Sequence, residues 1–424
     1  MADVPASADL DVVIVGAGAA GLATAIFTKR RNPAARVAVL DGATKPGAKI
    51  LVSGGSRCNV TNAVVTERDF NGGKPTIVRN VLRALPVDKT VAFFREIGVA
   101  LHEEPGGKLF PDSERSSTVL TALLREIDRA GVSLRTAHRV TRIARERERF
   151  RVDTSAGAVT THAVVLATGG LSLSKTGSDG WGYDAAVALG HTIVPTTPAL
   201  VPLLVDEAAD AGMHRVLSGV AQPARLTLRI DARVAARIDG ALLWTHFGIS
   251  GPAALDMSRH WLRAKLNEEA AAMSVSLCPD ETFETLERAL TELARDRPRL
   301  LVRSAIAERL PDAVATAVVR LAGVPADATL AALSREQRRA VVRRLLEWAL
   351  AVTGSRGYNF AEVTAGGVAL TEIDPSTMAS RRCPGLYLVG EILDVDGRIG
   401  GFNFQWAWSS AAVAAAALAG RTAS

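Results

Sequence analysis

DVVIVGAGAAGLATAIFTKR, residues 11–30, is the stretch that determines the predicted fold. Its first five residues are almost all apolar, which is typical of a strand buried on both faces of a parallel sheet. GAGAAG, residues 16–21, follows and leads into a helical pattern, so a GxGxxG motif stands between a strand and a helix. We expect Gly16 to allow a tight turn, Gly18 to let a pyrophosphate approach the backbone, and Gly21 to let the helix pack closely on the strand.

A second apolar strand, residues 36–40, ends in Asp41. This acid follows the last glycine of the motif by about twenty residues, the spacing at which a carboxylate binds the hydroxyls of an adenosine ribose. The alternative is a glycine-rich bend in an α/β protein of another kind. Because the strand, the helix and the acid occur together, the sequence predicts a dinucleotide-binding domain.

Length and composition limit the classes of protein that are possible. A chain of 424 residues with 48% hydrophobic residues can bury more than one core, which favours two or three domains. Residues 1–10 are polar and acidic, which does not resemble a secretory signal, and no apolar run is long enough for a membrane span. Cys58, Cys278 and Cys383 are widely spaced and form no metal or CxxC pattern, so we expect a cytoplasmic protein.

The net charge of +6 raises the question of a nucleic-acid partner. The basic residues are spread among acidic ones, as in the segment 142–151, which we interpret as helical. A solvated basic surface therefore explains the charge. We expect a small-molecule substrate, no nucleic acid or membrane as a partner, and a monomer or homodimer.

The segment 42–62 is rich in glycine, asparagine and serine, and we interpret it, like residues 105–117, as a loop. It follows the second strand, so it would lie along the pyrophosphate toward the redox ring. Lys49 and Arg57 would offset phosphate charge there, while Ser53 and Asn59 would hydrogen-bond the cofactor, as would Asn62. Cys58 is either a reactive thiol near the ring or a small packed apolar side chain.

Three later stretches end in features that suit a flavin. The strand 160–166 runs into Ala167, Thr168 and Gly169. By analogy with FAD-type Rossmann proteins, this brings the chain beside the first phosphate loop, with Val140 packed on the adenine. The strand 386–389 ends in Gly390 and Glu391, where a ribityl chain can be hydrogen-bonded. Gly400 and Gly401 open a helix whose first amides can stabilise negative charge on the flavin. Asp396 is either a turn-forming acid or a cofactor ligand.

The middle of the chain has a different pattern. Residues 225–230 alternate as in a half-exposed antiparallel strand, and several such strands precede the segment 242–252. His246 in that segment is either a structural histidine or faces the substrate. Residues 281–348 form amphipathic helices and carry no recognisable chemistry.

These motifs resemble the BaiN/YhiN-like family of bacterial NAD(P)/FAD-dependent oxidoreductases, which includes aminoacetone oxidase-like proteins. The family usually reads TGSTGDGY where this chain has TGSDGWGY, so Trp181 stands at an altered position near the expected flavin. The stretches that match are SGGSRCNVTN (53–62), LATGG (166–170), TGSDGWGY (176–183), LWTHFGISGP (243–252), VTAGGV (363–368) and GEILDVDGRIGGFNFQWAWSS (390–410).

The resemblance implies an α/β fold with a FAD-binding Rossmann-type domain of the glutathione-reductase-like kind, an inserted β-barrel-like domain and a small helical domain. The domain ranges are 1–195 with 371–424 for the Rossmann domain, 196–280 with 349–370 for the barrel-like domain, and 281–348 for the helical domain. The implied cofactor is non-covalent FAD, with NAD(P)H as a transient electron donor.

We therefore predict an FAD-dependent oxidoreductase that transfers a hydride through flavin N5, in an NAD(P)H-linked reduction of a small organic substrate. Two alternatives stay open: an amine oxidase that uses oxygen, and a non-catalytic flavin-containing or RNA-associated protein. The predicted catalytic residues are Arg57, Cys58, Asn59 and His246. The predicted cofactor-binding residues are Gly16, Gly18, Ala19, Ala20, Gly21, Asp41, Gly42, Lys49, Ser53, Gly54, Gly55, Asn59, Val140, Ala167, Thr168, Gly169, Gly390, Glu391, Asp396, Gly400, Gly401, Phe402 and Asn403, and no metal ligand is predicted.

Overall fold

The computed structural model describes residues 10–209 and 211–421. It divides into two compact units: unit 1 comprises Met1–Thr196 and Glu362–Ser424, and unit 2 comprises Thr197–Ala361. Unit 2 is thus an insertion in the chain of unit 1. The predicted absence of a signal sequence concerns residues that lie largely outside the described ones, and the division into three domains stays a prediction.

Thirteen α-helices occur in the described part of the chain. They are α1 Ala19–Arg31, α2 Ala48–Ser56, α3 Pro75–Ala84, α4 Val87–Glu96, α5 Ser116–Arg129, α6 Trp181–Ala188, α7 Met213–Val216, α8 Pro252–Leu266, α9 Phe283–Asp296, α10 Val302–Ala307, α11 Asp312–Leu321, α12 Arg335–Leu346 and α13 Phe402–Arg421.

The strands of the described residues belong to five sheets. They are β1 Leu10–Val15, β2 Val37–Leu40, β3 Thr61–Asn62, β4 Phe70–Gly72, β5 Leu101–Glu104, β6 Lys108–Pro111, β7 Ser133–Arg135, β8 Val140–Glu146, β9 Arg149–Thr154, β10 Gly157–Leu166, β11 Ile193–Ala199, β12 Leu203–Val205, β13 Ala221–Ile230, β14 Arg233–Thr245, β15 Gly248–Ser250, β16 Ala271–Ser276, β17 Trp348–Leu350, β18 Val352–Ser355, β19 Val363–Val368, β20 Leu386–Leu388 and β21 Val395–Gly397.

The central sheet of unit 1 has a Rossmann core. Its strands run in the order β7-β2-β1-β10-β9-β8, and β20 also pairs with β10. The pairs among β7, β2, β1, β10 and β20 are parallel, whereas β8, β9 and β10 form an antiparallel ribbon. The apolar sequence of β1 fits this arrangement because both neighbours and both faces bury it; Val12, Val13 and Ile14 have no exposed surface.

Helix α13 packs against α1 and secures the segment that follows β20. It is built mainly from small residues, which let another helix approach closely, and its two tryptophans find hydrogen-bond acceptors. Trp406 Nε1 donates to Gly390 O at 3.1 Å, and Trp408 Nε1 donates to Val60 O at 2.9 Å. The C-terminal helix therefore fixes two loops that the sequence analysis places near a cofactor.

Unit 2 contains a seven-stranded antiparallel sheet, in the order β17-β16-β13-β14-β15-β12-β18. Buried faces of this sheet share one apolar core with α8 and with the helices from α9 to α12. Trp244 and Trp348 meet at the centre, with ring centroids 5.0 Å apart. The α/β class with a Rossmann fold is confirmed, and the barrel-like description of this second sheet stays a prediction.

Three local predictions are wrong. The segment 42–62 contains α2, which is helical at its start and then bends at Ser53, Gly54 and Gly55, where the backbone leaves helical geometry. The predicted loop 105–117 contains β6, whose Leu109 and Phe110 are buried. The predicted helix 142–151 belongs to β8 and β9. Its alternating charges lie on the exposed part of the sheet, and the same mixture of charges is typical of a solvent-exposed helix.

A buried ionic cluster connects the end of α6 to the segment before β20. His191 Nδ1 lies 3.1 Å from Glu372 Oε2, and His191 Nε2 lies 2.7 Å from Ser380 Oγ. Glu372 also accepts hydrogen bonds from Thr192 N at 2.9 Å and from Arg382 Nη2 at 2.9 Å. Burial opposes ionisation of Glu372, but these donors dominate and lower its pKa from 4.5 to about 2.

We expect Glu372→Gln to lower the free energy of unfolding by about 3 kcal/mol, because it removes the charge that satisfies Arg382 and the buried donors. Urea denaturation at neutral pH measures this change. The folded-state pKa is lowered, so the carboxylate stabilises the fold above pH 4.5 and loses this effect as the pH falls toward about 2. The difference between wild type and variant should shrink over that interval.

Glu308→Gln is the matched control, since Glu308 pairs with Arg297 where both side chains are about half exposed. Its effect should stay below about 1 kcal/mol. Equal effects of the two substitutions would show that the buried cluster carries no special share of the stability.

Candidate functional site

The candidate site lies where the parallel strands of unit 1 end. Val15 is level with Leu40 and Leu166 on its two neighbouring strands, and Leu166 is level with Leu388. The carboxyl ends of these four strands therefore share one edge of the sheet. In open α/β sheets, ligands bind in the crevice outside this edge. The residues that follow the four strands are Gly16, Asp41, Ala167 and Val389 with Gly390.

The three glycines of the first turn have different surroundings. Gly16 has φ +103°, and a Cβ on it would lie 2.5 Å from Ala167 O. A Cβ on Gly21 would lie 1.9 Å from Gly16 O, so α1 can approach the turn only without a side chain there. A Cβ on Gly18 would meet no atom within 4 Å. Gly16 and Gly21 are thus required by packing, whereas Gly18 borders open space.

The start of α1 offers backbone N–H donors beside that space that have no side-chain cap among the described residues. Gly18 is the N-cap of the helix and provides no side-chain cap. The first-turn amides and the positive end of the helix dipole suit a phosphate group. Ala19 and Ala20 begin the helix, and their small side chains leave the approach open.

Asp41 closes the other side of the turn. Its Oδ2 accepts a hydrogen bond from Ala17 N at 2.7 Å, and its Oδ1 accepts one from Ala43 N at 2.8 Å. The carboxylate is therefore held at the glycine turn, with lone pairs left for further donors. Gly42 lies against Arg139, the residue before the buried Val140, which begins β8.

Gly390 lies against the beginning of α1. It has φ +75°, and a Cβ on it would lie 2.8 Å from the Cβ of Ala20. Its N–H donates to Ser410 Oγ at 3.1 Å, and its carbonyl accepts from Trp406 Nε1. Two residues of α13 thus position the turn that carries Glu391.

Glu391 is the centre of a polar network. Lys49 Nζ donates to Glu391 Oε2 at 2.5 Å and to Ser172 Oγ at 2.6 Å. Ser172 Oγ donates to Glu391 Oε1 at 2.8 Å, and Thr364 N donates to the same oxygen at 3.0 Å. Lys49 therefore binds the predicted ribityl-binding acid, whereas the sequence analysis assigned it to phosphate charge.

A second group of residues meets at the start of α13. Gly401 has φ +93°, and a Cβ on it would lie 2.4 Å from Thr61 O and 2.8 Å from Asn59 Oδ1. Asn62 Nδ2 donates to Gly400 O at 3.0 Å. Asn59 is buried, and within the described residues its Oδ1 has no hydrogen-bond partner. Burying such an acceptor costs free energy unless a ligand or a water molecule donates a hydrogen bond to it.

Two other predicted cofactor residues near the start of α13, Asn403 and Asp396, contact neighbouring protein segments. Asn403, next to Phe402 in the first turn of α13, exchanges two hydrogen bonds with the backbone of Gly397 at 2.8 and 2.9 Å. Asp396 is buried in β21 opposite Asn71. They position the turn before α13, and their contact with a cofactor stays a prediction.

Thr168 and Gly169 follow β10 beside the TGSDGWGY segment. Gly169 has φ +71°, and a Cβ on it would lie 2.6 Å from Ser178 Oγ. A Cβ on Gly182 would lie 1.9 Å from Thr168 Oγ1, a buried hydroxyl without a partner in the described part of the chain. This segment therefore packs directly on the strand end, as the sequence order of the two motifs suggests.

Arg57, at the C-terminal end of α2, takes part in a surface ion cluster. Its Nη1 lies 2.5 Å from Glu104 Oε1 and 2.8 Å from Glu114 Oε2, and its Cζ lies 4.0 Å from the ring centre of Phe110. These hydrogen bonds raise the pKa of the guanidinium group. His102 Nε2 lies 2.9 Å from Glu114 Oε1. The arginine binds the acids of this cluster, so we assign no metal to it.

Cys58 has no exposed surface, and burial raises its pKa to about 12. A thiol in this environment stays protonated at neutral pH, which disfavours the reactive alternative. Cys278 and Cys383 are also buried and free.

His246 lies in unit 2 on an exposed turn, with its ring centre 5.0 Å from that of Phe247. The catalytic roles of Arg57, Cys58, Asn59 and His246 stay predictions.

Three further residues belong to this region and were not predicted from the sequence. Ser172 and Thr364 connect the loop after β10 to β19, and Lys108 on β6 approaches Gly400, where a Cβ would lie 3.8 Å from Lys108 Cγ. No local pattern marks them, because each acts through residues far away in the chain.

These observations fit an FAD molecule. Gly18 leaves space for a pyrophosphate at a helix N-terminus, Asp41 and Glu391 supply carboxylates at two places on the same sheet edge, and Asn59 presents an unsatisfied acceptor at the start of α13. Phosphates, ribose hydroxyls and a ring with N–H donors are the groups that such a set binds.

Comparison with known proteins agrees with this interpretation. Residues 10–417 match the family model described as HI0933-like protein Rossmann domain. The chain belongs to the HI0933-like family. Membership confirms the recognised family and the predicted class, an FAD-dependent flavoprotein oxidoreductase.

Two relatives of the HI0933-like chain are similar over almost their whole length. The ribosomal RNA dihydrouridine synthase of Escherichia coli is 34% identical over 401 residues, which cover 95% of this chain and 96% of that protein. The 3-dehydro-bile acid delta(4,6)-reductase of Clostridium scindens is 31% identical over 408 residues, with 96% and 98% covered.

Among solved structures, a quinol–fumarate reductase variant of Escherichia coli has a TM-score of 0.52 at 15% identity, with 98% of this chain and 71% of that chain covered. This likeness supports the fold alone.

Across residues 10–209 and 211–421, every helix is too short or too polar to span a bilayer. The cytoplasmic location and the oligomeric state of the HI0933-like chain stay predictions.

Proposed function

We propose that this protein is an FAD-dependent reductase that saturates a carbon–carbon double bond conjugated with a carbonyl group, with NAD(P)H as the electron donor. The observation that carries the proposal is the sheet edge described above, where Gly18, Asp41, Glu391 and Asn59 offer complementary groups to one dinucleotide. Bound FAD would accept a hydride from the donor and deliver it to the substrate.

The names of the two relatives support the reaction class. Dihydrouridine is a uridine whose ring double bond next to a carbonyl has been saturated, and a delta(4,6)-reductase acts on double bonds that conjugate with the 3-oxo group of its bile acid. The two substrates differ greatly in size and charge. What they share is the double bond activated by a carbonyl. We therefore propose that the substrate of the present chain contains this group.

The chain's own residues would hold and orient FAD. Gly18 and the first amides of α1 would bind the pyrophosphate, Asp41 the ribose hydroxyls, and Glu391 the ribityl chain. The start of α13 at Gly401 would donate N–H groups to the carbonyl side of the flavin ring. Lys49 would fix the orientation of Glu391.

A uridine in ribosomal RNA is the first substrate that we propose to test. The relative with 34% identity carries that name, and a net charge of +6 favours association with a polyanion. This proposal replaces our sequence expectation of a small molecule without a nucleic-acid partner, which stays untested. The amine oxidase also stays a prediction, and no described residue favours it.

Anaerobic visible spectroscopy of the purified protein tests the proposal. We expect a protein-bound flavin whose absorption is bleached by NADH or NADPH and restored by a ribosomal RNA transcript that lacks modifications, with dihydrouridine detected by nucleoside mass spectrometry. Cyclohexenone is the matching small probe for the reaction class. A protein that binds no FAD, or whose flavin is reduced by amines and not by either coenzyme, would contradict the proposal.

A further inference from the structure

Glu362 is a carboxyl group for which the fold provides no partner. It is the residue directly before β19, where the chain re-enters unit 1, and its side chain is exposed. No hydrogen bond or ion pair involves this carboxyl group within the described residues. Exposed acids often have no hydrogen-bond partner. Whether this carboxyl group has a functional role therefore depends on which residues surround it.

The backbone of Glu362 is held rigidly beside the Glu391 network. Ser172 Oγ, which donates its proton to Glu391 in the shorter contact, lies 3.2 Å from Glu362 O, and Thr364 N donates to Glu391 Oε1 at 3.0 Å. The hydroxyl of Thr364 accepts hydrogen bonds from Leu171 N at 2.8 Å and from Ser172 N at 3.1 Å. These bonds place the backbone of Glu362 next to the residues that would hold the ribityl chain.

The charges around Glu362 come from both halves of the candidate site. Although the side chain is accessible to solvent, partial desolvation by the surrounding protein raises the pKa of its carboxyl group above 4.5, and the ammonium groups of Lys49 and Lys108 act in the opposite direction. Lys49 on α2 belongs to the Glu391 network, and Lys108 on β6 lies beside Gly400 at the start of α13. The carboxyl group therefore lies within the field of two cations, one from the Glu391 network and one from the segment beside the start of α13.

We propose that Glu362 is the proton donor of the reduction. This inference rests on the proposed function. Saturation of the double bond needs a hydride at one carbon and a proton at the carbon next to the carbonyl. The O–H bond of Glu362 would break as the new C–H bond forms, the electrons of the double bond would make that bond, and NAD(P)H would be oxidised overall. The carboxylate left on Glu362 would regain its proton from solvent, to which it is open.

The other candidate residues suit this task less well. Cys58 is buried away from solvent, and Arg57 is bound to Glu104 and Glu114. A general acid works best when its pKa lies near the working pH, and the raised pKa of Glu362 moves it in that direction.

Glu362→Gln tests the inference, because it keeps the shape of the side chain and removes the acidic proton. We expect the variant to bind FAD and to be bleached by NAD(P)H like the wild type. Reoxidation of its reduced flavin by cyclohexenone should be slower by roughly 100-fold or more, the usual contribution of a positioned general acid. Glu362→Asp should recover part of the rate, and Glu103→Gln, an exposed acid on β5, should leave it unchanged.

The pH dependence separates proton donation from a structural role. The wild-type reoxidation rate should fall as the pH rises through the pKa of Glu362, because only the protonated acid donates, whereas the rate of the variant should not follow this titration. An unchanged rate in Glu362→Gln, or an unchanged pH profile, would overturn the inference.

A readout without substrate distinguishes this inference from the proposed function. If NAD(P)H bleaches the wild-type flavin but no conjugated carbonyl compound reoxidises it, the proposed reaction is wrong. The visible spectrum of oxidised, FAD-loaded protein is then titrated with acid. A spectral change that the wild type shows and Glu362→Gln lacks supports the position of this acid at the flavin even if the proposed reaction is wrong, whereas identical titrations overturn the inference.

Discussion

Replacing Gly18 with valine is expected to yield a folded protein that no longer retains FAD. The backbone at Gly18 has φ −83° and ψ −169°, in the extended region that a β-branched residue adopts readily. A Cβ at this position meets no protein atom within 4 Å, so the fold itself leaves the side chain room. The added methyl groups would occupy the space where the pyrophosphate must approach the backbone.

Equilibrium titration of the apoprotein with FAD measures the effect. We expect the dissociation constant to rise by roughly 100-fold or more, which corresponds to about 2.7 kcal/mol of binding free energy. The unfolding temperature without FAD should change little. Gly420→Val is the control, because Gly420 near the end of α13 also has open space around it but lies far along the helix from the site. Unchanged FAD affinity in Gly18→Val would show that the dinucleotide does not bind at this turn.

Much of the nucleotide half of the site follows from local sequence. A strand, a glycine turn and a helix adjoin one another in the chain, so β1, the turn at Gly16, the close packing at Gly21 and α1 could be predicted, while the role of Gly18 toward a pyrophosphate stays a prediction. Asp41 was placed correctly at the end of β2, since parallel strands of one sheet end on a common edge. Here the spacing along the chain translates directly into distance in space.

The flavin half was harder because its residues come together from distant parts of the chain. Lys49, Ser172, Thr364 and Glu391 form one network, yet nothing in the sequence near Ser172 or Thr364 indicates that they meet. The sequence analysis placed Lys49 near phosphates because a lysine is a general phosphate ligand. In the structure, the nearer acid Glu391 binds it, and this preference depends on the tertiary arrangement.

The segment that contains α2 was wrongly predicted as a loop because its glycines and serine favour a loop, whereas core packing favours a helix. The segment contains Ser53, Gly54 and Gly55, which favour a loop, and Gly54 and Gly55 do have positive φ angles of 54° and 65°. The residues before them nevertheless complete helical turns, because Ile50 packs into the core of unit 1. Tertiary burial therefore outweighed local propensity in residues 48–52 of the segment.

Glu362 shows the limit of motif-based analysis most clearly. An acid before a strand has no distinctive sequence context, and its chemical interest arises only from its lack of a partner among the residues that the structure describes and from two lysines on other elements. Its position is nevertheless constrained by the neighbouring VTAGGV stretch, which the sequence analysis singled out without assigning it a role. A motif can thus matter through the adjacent residue that it holds in place.

Replacing Gly21 with alanine is expected to damage the fold, although it adds only one methyl group. That Cβ would lie 1.9 Å from Gly16 O and 3.3 Å from the Cβ of Ala167, so α1 would have to move away from the end of β1. Such a shift disturbs the packing of α1 on α13, and we expect a cost of at least about 3 kcal/mol. Differential scanning calorimetry of the apoprotein should show an unfolding temperature lower by roughly 6 °C or more.

The comparison with Gly18→Val makes the prediction decisive even if Gly21→Ala proves insoluble. The larger side chain at Gly18 should leave a soluble, folded apoprotein, while the smaller one at Gly21 should not, because one position borders ligand space and the other borders backbone. A wild-type unfolding temperature for Gly21→Ala would mean that α1 can shift without cost. In that case the close packing of helix and strand would not be what requires the third glycine of the motif.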